Sequence, residues 1–273
     1  MSERLGPTPT NSTTSWWLFP PQTREVQLDE KWSFIAKKEA HLQPEDPPQW
    51  GDAWDHTAVG AEHRLLLAVV PGKRTLENCQ KVVQEVKRRT GGRADLLLSS
   101  DEHAPYATAI EEAYHTKVPV PRRWGPGRPR NPVRVMPKLL CYATVCKERE
   151  KGRVVAVRRT RVFGLACVLA WLLLRSRVSS KVNTAFVERH NGTERRQNGR
   201  KHRKTYGFSK DSATHTAATY FIGYSYNLCW AVKTLAVKDE SGRRQQRTPA
   251  MAAGLADHVW SLQEWLSFPA KPC

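Results

Sequence analysis

Three acidic residues have the type and placement that a metal-dependent hydrolytic site needs. Asp29 lies in the segment VQLDEKWSFI, Asp101 ends the segment DLLLSSD, and Glu188 lies in NTAFVERHNG. Cleavage of a phosphodiester by two Mg²⁺ ions requires two or three carboxylates converging on ions about 4 Å apart, because Mg²⁺ is a hard cation that prefers oxygen. The chain has 26 acidic residues, and an exposed acid is more often solvated or ion-paired, so placement alone leaves both interpretations open.

A strongly basic run follows Glu188. The sixteen residues from Arg189 to Lys204 include seven Lys or Arg and one acid, Glu194. In a helix, Glu188, Asn191 and Arg195 share one face, at spacings of three and seven residues. The density of charge favours phosphate contact over a merely solvated helix face. The sequence therefore predicts these DNA-binding residues: Arg189, Arg195, Arg196, Arg200, Lys201, Arg203 and Lys204.

The composition points to the same partner. A net charge of +18 and a pI near 10 favour nucleic acid, whose phosphates reward basic surfaces by counterion release. The six cysteines contain no CxxC pair, which favours reduced thiols in a cytoplasmic, nucleoid-associated protein. The amino terminus has no secretory core, and the apolar run 162–174 falls short of the roughly 20 residues of a membrane span. We expect no membrane partner and a buried helix at that run.

The elements that must position the acids follow from apolar periodicity. In VQLDEKWSFI, apolar residues alternate with polar ones, which predicts a half-buried strand with Asp29 on the side away from the core. Residues 54–59 and 63–70 predict a hairpin, on which Asp52 and Asp55 are expected to be surface groups. A helix capped by Thr75 and ended near Gly91 should follow.

The next segments complete an α/β pattern. DLLLSSD predicts a strand buried on both faces whose carboxyl end is open, and a helix is expected over roughly 105–115. Antiparallel strands, a crossover helix and a buried strand indicate a mixed sheet with its site near Asp29 and Asp101.

The chain divides into five expected regions. We expect a lead-in without structure over 1–22, and a first part of the catalytic domain over 23–118. An insertion over 119–180 should contain a Pro/Arg-rich loop, a basic hairpin turning near Gly152 and the apolar helix. Catalytic-domain helices carrying Glu188 are expected over 181–235, and a helical tail over 236–273.

Several segments together resemble a known family of enzymes. QLDEKWSF, WGDAWDHTA, VPGKRT, SSDEHAPY, KVNTAFVERHNGTERRQNGRKHRKTYGFSKD, ATYFIGYSYNLCW and RTPAMAAGLADHVW are similar to bacterial insertion-sequence transposases of the DDE type, in the family of insertion sequence one. The similarity spans roughly residues 24–266. FVERHN with its basic run, and the Asp-bearing strand in SSDEHAPY, are its more specific parts.

The resemblance implies a ribonuclease-H-like mixed sheet flanked by helices, with a metal-binding triad of Asp29, Asp101 and Glu188. It implies two Mg²⁺ (or Mn²⁺) ions, which serve to cleave DNA at the element ends and to join the freed 3′ hydroxyl to target DNA. It also implies a homo-oligomer on DNA. The family usually carries an amino-terminal end-recognition segment. Only about 22 uninformative residues stand before the first catalytic strand here, so end recognition is expected either to be missing or to be supplied by a separate polypeptide.

Two other functions remain open at this level. A DNA-binding transposase remnant would occupy DNA or inhibit a transposase complex without cutting. A stand-alone nuclease of the same fold would cut DNA without joining strands. The presence of all three acids argues against loss of chemistry, whereas terminal inverted repeats beside the gene would favour the transposase.

Overall fold

A mixed six-stranded sheet forms the centre of the protein. The computed structural model describes residues 22–120 and 130–268. The strand order is β3-β2-β1-β4-β7-β8. The strands of this sheet are β1 (Glu25–Ile35), β2 (Gly51–Gly60), β3 (Leu65–Gly72), β4 (Leu97–Ser100), β7 (Cys141–Glu150) and β8 (Arg153–Phe163).

Helices cover the sheet, and two pairs of short strands lie outside it. The helices are α1 (Leu76–Arg89), α2 (Pro105–Tyr114), α3 (Ala166–Arg175), α4 (Ala185–Gln197), α5 (Ser212–Cys229), α6 (Pro249–Ala252) and α7 (Leu262–Ser267). The short pairs are β5 (Thr116–Val118) with β6 (Val133–Val135), and β9 (Val237–Lys238) with β10 (Arg244–Gln245). No helix within the described ranges is both long and apolar enough to cross a bilayer.

The predicted fold class is confirmed. β1, β2 and β3 run antiparallel as a meander, while β4 and β7 are parallel to β1. A sheet of this order and direction, flanked by helices, is ribonuclease-H-like. The first two crossovers use α1 and α2, because parallel neighbours need a connection long enough to return across the sheet.

The expectation that β1 is half-buried is wrong. Its apolar side packs into the core beneath α1 and α2, where Val26 and Leu28 are fully buried. Its other side is also covered, because α4 packs against β1 and leaves Gln27 and Lys31 fully buried. Alternation of polar and apolar residues therefore marks here a boundary between an apolar layer and a hydrogen-bonded layer.

The hairpin and the first helix agree with their predictions. β2 and β3 pair as an antiparallel hairpin. α1 begins after Thr75, whose side chain accepts a hydrogen bond from the backbone N–H of Asn78, and Gly91 follows its end with a φ of 66°. These caps satisfy backbone groups that the helix ends leave open.

The basic hairpin is not part of an insertion. Its turn lies at Lys151 and Gly152, both with positive φ, as predicted. However, β7 pairs in parallel with β4 and is the fifth strand of the ribonuclease-H-like order, while β8 adds an edge strand. Of the Pro/Arg-rich loop, residues 121–129 lie outside the described residues.

Two further helical expectations differ from the structure. Of the ten residues of α3, all described, Leu172 is the buried one, whereas Leu174 is 85% exposed; the expectation of a buried helix is therefore wrong. The tail after 236 contains the short β9/β10 pair and two short helices rather than continuous helix. Pro249 begins α6, and Gly254, with a φ of 73°, follows its end, which limits helical length.

Candidate active site

Asp29 and Asp101 lie side by side at the carboxyl end of β4. β1 and β4 are parallel, and Gln27 pairs with Ser99, so Asp29 and Asp101 are two residues further along each strand and on the same face. β4 ends at Ser100, which leaves Asp101 at its open carboxyl end. The Oδ1 atom of Asp101 accepts a hydrogen bond from the backbone N–H of His103 at 3.2 Å.

The carboxylate of Asp29 is only partly compensated. Asn191 Nδ2 donates to Asp29 Oδ2 at 2.8 Å, and the backbone N–H of Glu30 donates to Oδ1 at 2.9 Å. Burial raises the pKa of Asp29 to about 7; the hydrogen bond from Asn191 opposes this shift, and the charge of Asp101 adds to it. Removing a carboxylate from water disfavours its charged form, and a neighbouring carboxylate adds to that cost.

Asn191 is itself held in place. Thr57 Oγ1 donates to Asn191 Oδ1 at 3.2 Å, which leaves the amide nitrogen directed at Asp29. The start of α4 is fixed one turn earlier by Gln27, whose Oε1 atom accepts from the backbone N–H groups of Phe186 at 2.8 Å and Val187 at 3.2 Å. These bonds satisfy helix-terminal donors and set the helix over the acids.

Glu188 lies on α4 above the same face of the sheet but in different company. Its Oε1 atom is ion-paired with Lys147 of β7 and accepts a hydrogen bond from Thr184 Oγ1. Its side chain is 42% exposed. Within the described ranges, no three acid, histidine or cysteine side chains converge closely enough to form a ready metal cluster. The structure thus brings Asp29 and Asp101 together, with Glu188 held apart by Lys147.

A buried ionic cluster, formed by Lys31, Asp55, Glu194 and Lys201, fixes the other end of α4. Lys31 lies 3.2 Å from Asp55 and Lys201 lies 3.6 Å from Glu194, with closer contacts between Lys31 and Glu194 and between Lys201 and Asp55. All four side chains are at most 2% exposed. Although burial alone would raise it, the charges of Lys201 and Lys31 hold the pKa of Asp55 below its ordinary value.

The buried ionic cluster corrects two predictions. Lys201 was expected to bind DNA, but its ammonium group is enclosed by Asp55, Glu194 and Thr219 and cannot reach a phosphate. Asp55 was expected at the surface but is fully buried. The other predicted DNA-binding residues keep some exposure: Arg189, Arg196, Arg203 and Lys204 are exposed, and Arg195 and Arg200 are partly buried.

Sequence reasoning did not select Lys147 or Lys31. The signal for Lys147 is strand periodicity, since it follows Ala143 and Val145 at two-residue steps on β7. The sequence does not indicate that β7 belongs to the central sheet, so this periodicity could not place Lys147 beside the candidate site. Lys31 has the same relation to Asp29 on β1, and its partner Glu194 lies in the basic run.

The donor set fits a hard divalent cation. Asp29 and Asp101 offer carboxylate oxygens at one height of two parallel strands. Burial raises the pKa of Asp29 and the charge of Asp101 adds to the shift, so a bound cation would favour the ionised form. Glu188 offers a third carboxylate if its contact with Lys147 is exchanged. Such an arrangement of oxygen ligands can hold Mg²⁺ or Mn²⁺.

Comparisons with known proteins provide little beyond this geometry. No protein-family model matches the chain, and no curated protein matches it. Among solved structures, part of the chain is similar to the "Crystal structure of the Mos1 Strand Transfer Complex", with 15% sequence identity and a TM-score of 0.23. The similar region covers 33% of this chain and 31% of that chain.

Proposed function

We propose that the protein is a DDE-type transposase that cleaves DNA at insertion-sequence ends and transfers the freed strand. The observation that carries this proposal is the pair of carboxylates, Asp29 and Asp101, at one height of two parallel strands, with the pKa of Asp29 raised to about 7. A buried carboxylate with a strongly raised pKa destabilises the fold when it ionises, and such groups are concentrated at functional sites. The triad is completed by Glu188 on α4.

Each residue has a physical task in this proposal. Asp29 and Asp101 bind the metal ions together with Glu188, and Asn191 orients the Asp29 carboxylate. Two bound ions supply activation of the attacking oxygen and stabilisation of the leaving oxygen. Asp29 must lose its proton to act as a ligand, so ionisation near pH 7 links metal binding to pH.

The exposed cations supply DNA affinity. On α4, the helix that carries Glu188, Arg189 and Arg196 are exposed. In the loop after this helix, Arg203 and Lys204 are exposed as well. Phosphate contacts of this kind give affinity that falls steeply with salt. We infer a nucleoid-associated homo-oligomer on paired DNA ends, with a separate polypeptide as a further candidate for end recognition.

The first experiment compares nicking and joining of DNA that carries the flanking inverted repeats. Wild type with Mg²⁺ should nick and join, whereas Glu188→Gln should lose both activities by at least about 10³-fold while binding DNA with near wild-type affinity. Glu148→Gln is the matched control, since Glu148 is an exposed glutamate on β7 and should leave both activities unchanged.

The same assay separates the two alternative functions. Metal-dependent nicking without joining would identify a stand-alone nuclease. Tight binding with no nicking by wild type would identify a non-catalytic, inhibitory DNA-binding protein. Full activity of Glu188→Gln would remove Glu188 from the metal site.

A further inference from the structure

A pocket at the far end of β1 combines positive charge with aromatic rings. It encloses about 730 Å³, a size that accommodates a small ligand or one unit of a polymer. Its lining contains no acid. We call it the basic aromatic pocket and define it by three rings, Phe34, Tyr206 and Phe208, and three exposed or partly exposed cations, Arg200, Arg203 and Lys204.

The basic aromatic pocket lies further along β1 than the acids. β4 pairs with residues 25–27 of β1, so the far half of β1 extends past β4 toward the pocket. Ser33 lines the pocket and lies four residues beyond Asp29 on the same face of β1, which corresponds to about 13 Å along the strand. Arg195 joins the two regions, since it lines the pocket and lies one helical turn beyond Asn191, which donates to Asp29.

The loop that forms one wall is anchored at both ends. At one end, Lys201 is locked into the buried ionic cluster. At the other, the Ser209 carbonyl accepts from the backbone N–H of Ala36 at 2.8 Å, and Ser209 Oγ lies 2.9 Å from His215 Nδ1. The cations between these anchors are therefore held near the pocket before any ligand arrives, which lowers the entropic cost of binding.

The aromatic rings divide into packed and open ones. Phe34 and Phe208 pack together with ring centroids 4.8 Å apart, and Lys210 lies over Phe208 at 3.5 Å. Tyr206, in contrast, is 98% exposed. A ring so exposed contributes almost no burial to the fold, yet it has a flat face on which a planar group can stack.

We propose that the basic aromatic pocket binds an unstacked nucleotide of a DNA single strand. The base stacks on Tyr206 at the mouth of the pocket, and its flanking phosphates contact Arg200, Arg203 and Lys204. A basic groove with aromatic platforms is the general means of holding single strands without reading their sequence. This inference deepens the proposed function and rests on it for placing the strand beside Asp29.

The test measures binding of fluorescently labelled single-stranded DNA by anisotropy, in EDTA, with normal bases or with consecutive abasic sites. Wild type should bind the base-bearing strand at least about fivefold more tightly than the abasic one. Tyr206→Ala should abolish this preference, and Tyr206→Phe should retain it. Tyr220→Ala is the matched control, because Tyr220 is a 40% exposed tyrosine lining a different groove, between α1 and α5.

The outcomes separate base stacking from backbone contact. Arg203→Gln should weaken binding to both strands by a similar factor, since phosphates are present in each. Equal affinity of wild type for both strands, or an equal loss for both in Tyr206→Ala, would overturn the proposal. The assay contains no metal and needs no cleavage, so a lack of nicking with an intact base preference would refute the transposase proposal alone.

Discussion

Two groups of buried or partly buried acids meet the same face of β1, one at Lys31 and the other at Asp29, and their charges are compensated in opposite ways. In the buried ionic cluster, Asp55 and Glu194 face Lys31 and Lys201, and the pKa of Asp55 is lowered. At the candidate active site, burial raises the pKa of Asp29 to about 7, and the charge of neighbouring Asp101 adds to this shift. The first group is neutral in sum, whereas the second accumulates negative charge.

The contrast separates acids whose charge is compensated within the fold from acids whose charge is not. A buried carboxylate with a paired cation is stable only as part of that pair. A carboxylate beside another carboxylate stores an electrostatic cost that a divalent cation would relieve. Asp29 and Lys31 are two residues apart on the same face of β1, yet their electrostatic surroundings are therefore opposite.

The largest expected effect comes from breaking the buried ionic cluster. Asp55→Asn leaves Lys201 and Lys31 with one carboxylate between them, so the free energy of unfolding should fall by about 3–5 kcal/mol. Urea unfolding at pH 7 measures this. Asp52→Asn is the control, since Asp52 makes an exposed hydrogen bond with the backbone N–H of Glu39. A loss below 1 kcal/mol for Asp55→Asn would mean that the cluster does not hold the fold.

Asp29→Asn should change the free energy of unfolding in the opposite direction, as a gain that grows with pH. The pKa of Asp29 is raised from 3.8 to about 7 in the folded state, so the folded protein binds the proton more tightly. Wild-type stability should fall as pH rises from about 4 to 7, by about 1.4 kcal/mol per pH unit. Asn carries no such proton, so the variant should gain about 2–3 kcal/mol relative to wild type between pH 5 and pH 8.

Unfolding in EDTA at pH 5 and pH 8 tests this prediction. Glu148→Gln, which removes the charge of an exposed carboxylate on β7, is the control variant. An Asp29→Asn variant whose stability relative to wild type does not change with pH would show that Asp29 is not held against ionisation. The comparison between the two acid groups would then lose its electrostatic basis.

Sequence periodicity predicted the core sheet better than it predicted the charges. The hairpin, the capped helix after Thr75 and the buried strand before Asp101 all have local signals, namely alternation, a cap and three consecutive leucines. Lys201 stands in a run of seven cations, and nothing local distinguishes it from Arg203. Its partner Asp55 is 146 residues away in sequence, and pairing over that distance depends on the tertiary fold alone.

Dependence on the tertiary fold also decided which contacts of the candidate site could be predicted from the sequence. Asp29 and Asp101 could be placed because both end or interrupt recognisable strands. The ion pair of Glu188 with Lys147 could not be foreseen, since it required β7 to be the strand next to β4. The exposed apolar face of α3 was missed because apolar composition predicts burial and contains no information about which surfaces meet.

Asn191→Ala should produce an intermediate effect on activity. Its amide lowers the pKa of Asp29 by donating a hydrogen bond, so removing it should raise that pKa further and leave less ionised Asp29 at pH 7. Cleavage at pH 7 should fall about tenfold, and the deficit should narrow at higher pH. A pH–rate profile of nicking measures both changes. A uniform loss at every pH would point to misplacement of α4 instead.

The smallest expected effect concerns Lys147. Its ammonium group competes with a cation for Glu188, so Lys147→Gln should strengthen Mn²⁺ binding. Because this ion pair is partly exposed, we expect a gain of no more than about fivefold. Calorimetric titration with Mn²⁺ in the absence of DNA measures it, and Lys151→Gln at the hairpin tip is the control for lost charge. If the affinity for Mn²⁺ falls in Lys147→Gln but not in the control, Lys147 positions Glu188 for the metal ion instead of competing with it. Glu188 would then resemble the acids of the buried ionic cluster, and the uncompensated acids would be Asp29 and Asp101.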